Sequence, residues 1–280
     1  METKLILIEG IPGSGKTSFA RKTADWYKDR GITANLYVEG QSHPADLAWN
    51  ACVPFIEYDK ILQCYAPIRN EIQQHTVIEG DFAIIAYTQV KSEDFLFYKE
   101  LEKYEIYDGR VPDEVFYNLH YQRWRSFGLY MGQKDGLCIF ECAFLQNHVN
   151  EMLFWRNAGD DAVIAHHNRL INSVMNLSPV LIYLSQPDIR ETINRIANER
   201  ISNEHGNWID KCISYCENSP YGKQNGIKGF DGAMKIFAIR KQLEMKILSQ
   251  LPIPYIIIEN KDYDWDAVWG GIEKYLLSLE

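Results

Sequence analysis

Four consecutive aliphatic residues, Leu5-Ile6-Leu7-Ile8, run through Glu9 into Gly10-Ile-Pro-Gly13-Ser14-Gly15-Lys16-Thr17. This junction of strand and glycine loop constrains the fold more than any other part of the chain. The spacing Gly10-x-x-x-x-Gly15-Lys16-Thr17 is the phosphate-binding loop pattern. A run of Leu and Ile without polar alternation suits a parallel strand buried on both faces. Ser18 to Arg30 then reads as a helix, with Phe19, Ala20, Thr23, Trp26 and Tyr27 on one stripe and Gly31 as its stop. A glycine-rich turn before a core helix is the alternative, and the strand and helix on either side weigh against it.

Physical roles follow from that order. Glycines 10, 13 and 15 let the backbone turn tightly and approach phosphate oxygens, while the N–H groups opening the helix point at the anion. Lys16 is expected to bridge the β- and γ-phosphates and the Thr17 hydroxyl to ligate Mg²⁺. The expected nucleotide site is therefore Gly10, Gly13, Ser14, Gly15, Lys16, Thr17 and Ser18, with ATP and Mg²⁺ as cofactors.

The chain has 280 residues, 46% of them hydrophobic and 24% charged, which fits a soluble globular protein with a large core. With 38 acidic against 29 basic residues the net charge is −9, which argues against broad nucleic-acid binding. No apolar run approaches the roughly 20 residues of a membrane span. The N-terminus lacks a signal-peptide layout, so a cytoplasmic location without membrane contact is expected. The six cysteines, at 52, 64, 138, 142, 212 and 216, lack zinc-finger spacing and read as reduced structural thiols.

Further strands are expected at 33–39, 136–141, 180–184 and 255–259. Alternation of strands with helices predicts an α/β, three-layer fold with a central parallel sheet. The chain is read as one domain, 1–280, with a largely helical acceptor-side insertion at 44–134 and a lid region at 190–232. Pro112 to Phe127 reads as a helix. Thr76 to Val90 is either a hairpin around Gly80-Asp81 or a helix and a short strand. The glycine-dense run Ser219 to Gly232 reads as a mobile segment of the lid.

Ligands of parallel sheets bind at the carboxyl ends of the strands, which directs attention to Glu39 and Glu141, each expected to close its strand. Glu141 is placed to join Thr17 in the Mg²⁺ shell, and Glu39 to accept the proton of an acceptor hydroxyl. Of the arginines that follow the fourth strand, Arg195 and Arg200 are candidates to stabilise the moving phosphoryl group. Asn260 belongs to a loop expected beside the adenine. Tyr87 and Arg123 are acceptor-side candidates, although aromatic residues at helical spacing more often serve the core. His166 and His167 read as residues that cap or flank a helix.

On these residues the chain resembles the P-loop kinases of the nucleoside and nucleoside-monophosphate kinase group, and is most similar in pattern to deoxynucleoside kinases. In that family a Glu closing the second strand acts as base, and here Glu39 leads into Gly40-Gln-Ser-His-Pro44 and Trp49. The family's Glu-Arg-Ser at the third strand corresponds to Glu141-Cys142-Ala143. The fourth strand and lid correspond to Ile182-Tyr-Leu, Pro187 and the arginines. Cys142 in place of arginine, no Pro directly after Glu39, and one extra residue between Arg195 and Arg200 are departures. The resemblance implies an ATP-dependent phosphotransferase acting on a hydroxyl of a nucleoside-like, sugar or antibiotic small-molecule acceptor. A nucleoside-monophosphate kinase, a nucleotide-dependent regulatory ATPase or switch, and a binding-only protein stay open, as does a homodimer.

Overall fold

In a computed structural model, residues 3–201 and 207–279 are described. In chain order the elements are β1 (Leu5–Gly10), α1 (Lys16–Asp29), β2 (Ala34–Tyr37), β3 (Ala51–Pro54), α2 (Phe55–Cys64), α3 (Arg69–Gln74), β4 (Thr76–Glu79) and β5 (Phe82–Ile85). These are followed by α4 (Phe95–Glu102), α5 (Asp113–Gly132), β6 (Leu137–Glu141), α6 (Gln146–Val149), α7 (Asp160–Asn172) and β7 (Val180–Ser185). The chain closes with α8 (Ile189–Glu199), α9 (Trp208–Asn218), α10 (Pro220–Gln224), α11 (Gly229–Leu248), β8 (Tyr255–Glu259) and α12 (Trp265–Leu277).

These elements form two compact units, residues 1–39 with 121–280, and residues 40–120. The first holds a five-stranded sheet in the order β2-β6-β1-β7-β8, every neighbouring pair parallel. All six residues of β1 and all five of β6 are buried, as strands covered on both faces require. One face, carrying Ile6, Ile8, Leu137, Ile139, Val180 and Ile182, packs with Phe19, Trp26 and Tyr27 of α1 and Val268, Ile272 and Leu276 of α12. On the other face Phe140 meets the rings of Trp124 and Phe127 from α5, and Tyr183 bonds to Glu244 of α11. Helices therefore cover both faces, and the unit is the three-layer α/β fold expected.

The second unit contains helices α2 to α4 and an antiparallel sheet in the order β3-β5-β4. Between the two alternatives for Thr76 to Val90, the hairpin is the one formed. Gly80, at φ 58, takes the first position of a two-residue turn that pairs Glu79 with Phe82. Val53, Tyr58, Leu62, Ile85, Phe97 and Leu101 form its core. Among the described residues, no helix is long and apolar enough to cross a membrane.

Two expectations need correction. The run Ser219 to Gly232, read as a loop, forms α10 and the first turn of α11, with the Ser219 hydroxyl capping α10 by accepting from Gly222 N at 2.9 Å. Two of its glycines serve close packing, since a Cβ on Gly222 would overlap the carbonyl of Cys216 and one on Gly232 would come within 2.9 Å of Ile227, whereas Gly226 and Gly229 take left-handed φ of 62 and 58°. His166 and His167 do not flank a helix end. They lie inside α7, buried, with His166 Nε2 3.1 Å from His148 Nδ1 and His167 Nδ1 donating to the Val163 carbonyl at 2.7 Å.

Candidate active site

The glycine loop joins β1 to α1 at the carboxyl edge of the parallel sheet. Gly10, Gly13 and Gly15 have φ of 147, 83 and 94°, conformations that any other residue would adopt under strain. A Cβ on Gly10 would overlap the Leu184 carbonyl of β7, and one on Gly13 would overlap Ile196 of α8. The loop is thus clamped between the neighbouring strand and α8. Gly15 occupies the N-cap of α1 and provides no side-chain cap, so the amides of the first turn stay available to an anion. Lys16 is buried at the helix start with Nζ donating to the Ile11 carbonyl at 3.1 Å, and Ser18 faces solvent.

Asn260 clamps the loop from the other side. Its Nδ2 donates to the Ser14 carbonyl at 3.0 Å, its backbone N donates to Ser185 O at 2.9 Å, and its carbonyl accepts from Gln186 Nε2 at 2.6 Å. Next to it Trp265 packs against Phe19 with ring centroids 5.0 Å apart and would meet a Cβ placed on Gly15 at 3.1 Å. Ser14 Oγ and Asn260 Oδ1 are buried without a hydrogen-bond partner. Two orphaned polar atoms at a left-handed glycine loop fit a site built to receive a polar ligand.

Glu141 closes β6 as expected, and both of its carboxylate oxygens are engaged. Oε1 accepts from the Thr17 hydroxyl at 3.1 Å, and Oε2 accepts from the backbone N–H of Glu39 at 3.1 Å. A hydroxyl and a carboxylate are hard oxygen donors of the kind Mg²⁺ selects. Glu39 itself does not end its strand. The β2 ladder stops at Tyr37, and Glu39 stands in the following turn, exposed, with Oε1 accepting from Gln146 Nε2 at 3.0 Å. Thr17, Glu141 and Glu39 therefore form one hydrogen-bonded line at the sheet edge. Sequence spacing anticipates the three residues, but not the backbone N–H that links the last two.

Arg195 projects from the exposed side of α8, donates to Glu199 at 3.1 Å and lies 3.4 Å from the centroid of the Tyr263 ring. Arg200 caps α8 and lies 5.4 Å from the Trp208 ring. Neither is joined to the Thr17–Glu141–Glu39 line, whereas Thr192 and Ile196 of the same helix sit directly on Gly13. Residues 202–206 of the expected lid lie outside the described residues. Tyr87 belongs to the second unit, where it is buried and donates its hydroxyl to Glu105 Oε2 at 2.7 Å. Burial pushes the Glu105 carboxyl up to about 8 despite that bond. Arg123, on α5 in the first unit, is half-buried.

Beneath the loop lies a set of charged residues that the sequence reading passed over. Glu9, fully buried, accepts from Phe144 N at 2.7 Å through Oε1, while Oε2 has no partner. Burial raises its pKa to about 8, against the opposing pull of the Phe144 amide and Lys16. Arg240 of α11, also buried, donates through Nε to Glu244 Oε1 at 2.6 Å and through Nη2 to Gln146 Oε1 at 3.2 Å and Gly10 O at 3.4 Å. Glu244 Oε2 accepts from Tyr183 at 2.6 Å. Burial alone would lower Arg240, but the Glu244 carboxylate outweighs it and leaves the guanidinium raised. A signal was available, because Arg240 and Glu244 fall in the stripe of Ala233, Ile236, Phe237 and Ile247, where a solvated charge has no place.

No family model matches the chain, and no curated protein matches it significantly. Among solved structures, it is similar to thymidylate kinase from Ehrlichia chaffeensis with a TM-score of 0.44 and 12% identity, covering 98% of each chain. It is also similar to thymidylate kinase from Candida albicans with a TM-score of 0.38 and 13% identity, covering 98% of this chain and 92% of the other. Neither likeness is close enough to bear on the chemistry, which rests on the side chains above.

Proposed function

We propose that this chain is an ATP-dependent phosphotransferase that moves the γ-phosphoryl group of ATP to a hydroxyl of a nucleoside-like, sugar or antibiotic acceptor. The observation that carries the reading is the line Thr17–Glu141–Glu39 beside a left-handed glycine loop with Lys16 at the helix start. Thr17 and Glu141 are the residues that would hold Mg²⁺, which when bound offsets negative charge on the phosphates. The loop amides and Lys16 hold the phosphates in place. Glu39, exposed at its outer end, receives the proton of the acceptor hydroxyl as that oxygen bonds to phosphorus and the bond to the leaving ADP oxygen breaks. A base at that position suits a neutral hydroxyl better than a phosphate acceptor, which calls for cations instead.

Incubation with Mg²⁺-ATP and pooled nucleosides, nucleoside monophosphates, sugars, aminocyclitols and antibiotics, followed by mass spectrometry, tests this, with Lys16→Ala as the blank. A Lys16-dependent phosphorylated alcohol is expected. A diphosphate product would replace it with the monophosphate-kinase reading, and ATP loss without any product would favour a regulatory ATPase. Removing the Lys16 ammonium is expected to reduce transfer by roughly 10²-fold or more, as loss of a preorganised charge at a transferring group does.

A further inference from the structure

We infer that Gln146 and Arg240 are positioning residues that hold the Glu39 carboxylate in register with the glycine loop. The inference rests on the phosphotransferase reading for what Glu39 does, and on geometry alone for how Glu39 is held. Glu39 lies two residues past the last paired residue of β2, so no sheet bond orients its side chain. Fixing a long side chain of this kind costs rotamer entropy, which a partner must offset. The Glu39 carboxylate is met by the Gln146 amide at 3.0 Å.

The direction of that amide is forced. Guanidinium can only donate and ionised carboxylate can only accept. With Arg240 Nη2 on one side and Glu39 Oε1 on the other, the Gln146 carbonyl must face the arginine and its NH₂ must face the glutamate. The reverse orientation would set donor against donor and acceptor against acceptor. Gln146 therefore converts a buried cation into a donor aimed at Glu39.

Arg240 is in turn buried and held by several bonds. It is 1% exposed, its Nε is bound to Glu244 at 2.6 Å, and Glu244 is bound to Tyr183 of the central sheet at 2.6 Å. The same Nη2 that orients Gln146 also reaches the carbonyl of Gly10, the first loop glycine, at 3.4 Å. One nitrogen thus sits between the phosphate-binding loop and the tether of Glu39. Ordering the loop around phosphates and placing the carboxylate share a common support.

Two readouts test this. In ¹⁵N spectra of the side-chain amides, the Gln146 pair is assigned by its disappearance in Gln146→Met, and Glu39→Ala is expected to shift it. A pair that stays in place overturns the inference whether or not any acceptor is found. In steady-state kinetics Gln146→Met is expected to lower kcat about 10- to 100-fold with the KM for ATP nearly unchanged, the size expected when a reacting group is misplaced. Gln146→Glu, which keeps the acceptor for Arg240 but removes the donor to Glu39, is expected to lose as much. Combined with Glu39→Gln, Gln146→Met is expected to cost nothing further, and equal losses in both backgrounds would mark Gln146 as merely structural and overturn the role. A shifted amide pair in a protein that phosphorylates nothing upholds the tether and refutes the phosphotransferase reading.

Discussion

Replacing Glu9 with Gln should remove one pH-dependent contribution to the stability of the core. Glu9 is the only acid within β1, is 0% exposed, and has a pKa raised from the ordinary 4.5 to about 8 because burial penalises the anion. In the unfolded chain the same carboxyl titrates at its ordinary value. Between those two pH values the native state binds more protons than the unfolded state, so stability contributed by Glu9 is complete below pH 4.5 and is lost as pH rises through 8. Each pH unit in that window is worth about 1.4 kcal/mol for one proton, so passage from 4.5 to about 8 sets a ceiling near 5 kcal/mol. Local relaxation and water entry are expected to reduce this to about 2–3 kcal/mol.

The amide of Glu9→Gln copies the neutral acid in shape and still accepts from Phe144 N. Its stability is expected to match wild type within about 1 kcal/mol at pH 5 and to exceed it by about 2 kcal/mol at pH 9, since a buried amide lacks the anion's desolvation cost. Urea titrations of both proteins from pH 5 to 9 measure the difference curve. The difference is needed because Glu105 in the second unit, also raised to about 8 by burial, contributes a slope of the same sign. Parallel curves for the two proteins would refute the assignment of a neutral Glu9 in the folded state. ATP affinity supplies a second reading, because ionisation of Glu9 puts a negative charge one residue before the loop, so wild-type affinity is expected to fall above pH 8 more steeply than that of the variant.

Gly13→Ala places a side chain at φ 83 and into Ile196; left-handed strain of about 1–2 kcal/mol plus that overlap should lower the melting temperature and weaken ATP binding, and an unchanged melt would show that α8 is not seated on the loop. Arg240→Met leaves Glu244 buried without its cation and should cost about 3–5 kcal/mol, whereas Arg240→Met with Glu244→Met should recover most of that loss in urea titrations. A double variant no more stable than the single one would mean that the ion pair is not what makes the single change harmful.

The glycine loop and its flanking elements were legible in the sequence because local chemistry determines them. Left-handed glycines, a following helix and an unalternating apolar strand all act over fewer than 30 residues, and the stripe Phe19, Ala20, Thr23, Trp26 and Tyr27 is buried as its spacing requires. All five strands of the parallel sheet were legible for the same reason. What was not legible depends on distant parts of the chain meeting. Arg240 meets Gln146 and the Gly10 carbonyl of the loop across separations of 94 and 230 residues, and no local pattern records such a contact. Glycine density at 219–232 hid α10 and the start of α11, because two of its glycines, Gly222 and Gly232, sit in close contacts that sequence does not record. Glu39 lies near the sheet edge where spacing puts it, but its strand ends two residues earlier, so what holds it is visible only in its contacts.

On the proposed function, the buried charges also explain how this floor would receive a polyanion. An ionised Glu9 and an ionised Glu244 beneath the loop would repel phosphate through a medium that screens poorly. Burial keeps Glu9 protonated at neutral pH, and Arg240 is bound to Glu244 at 2.6 Å, so both acids are neutralised. Among the described residues Lys16 has no carboxylate partner and donates to a backbone carbonyl instead. Its ammonium is then the net charge left beneath the loop. Glu141 lies to one side, where its carboxylate meets the Thr17 hydroxyl and suits a divalent cation. The core thus separates positive character under the glycine loop, at Lys16, from negative character at Glu141 and Glu39. Charging Glu9 erodes that separation without changing a side chain of the proposed ATP site, so a loss of ATP affinity above pH 8 tests the electrostatic design apart from the contacts.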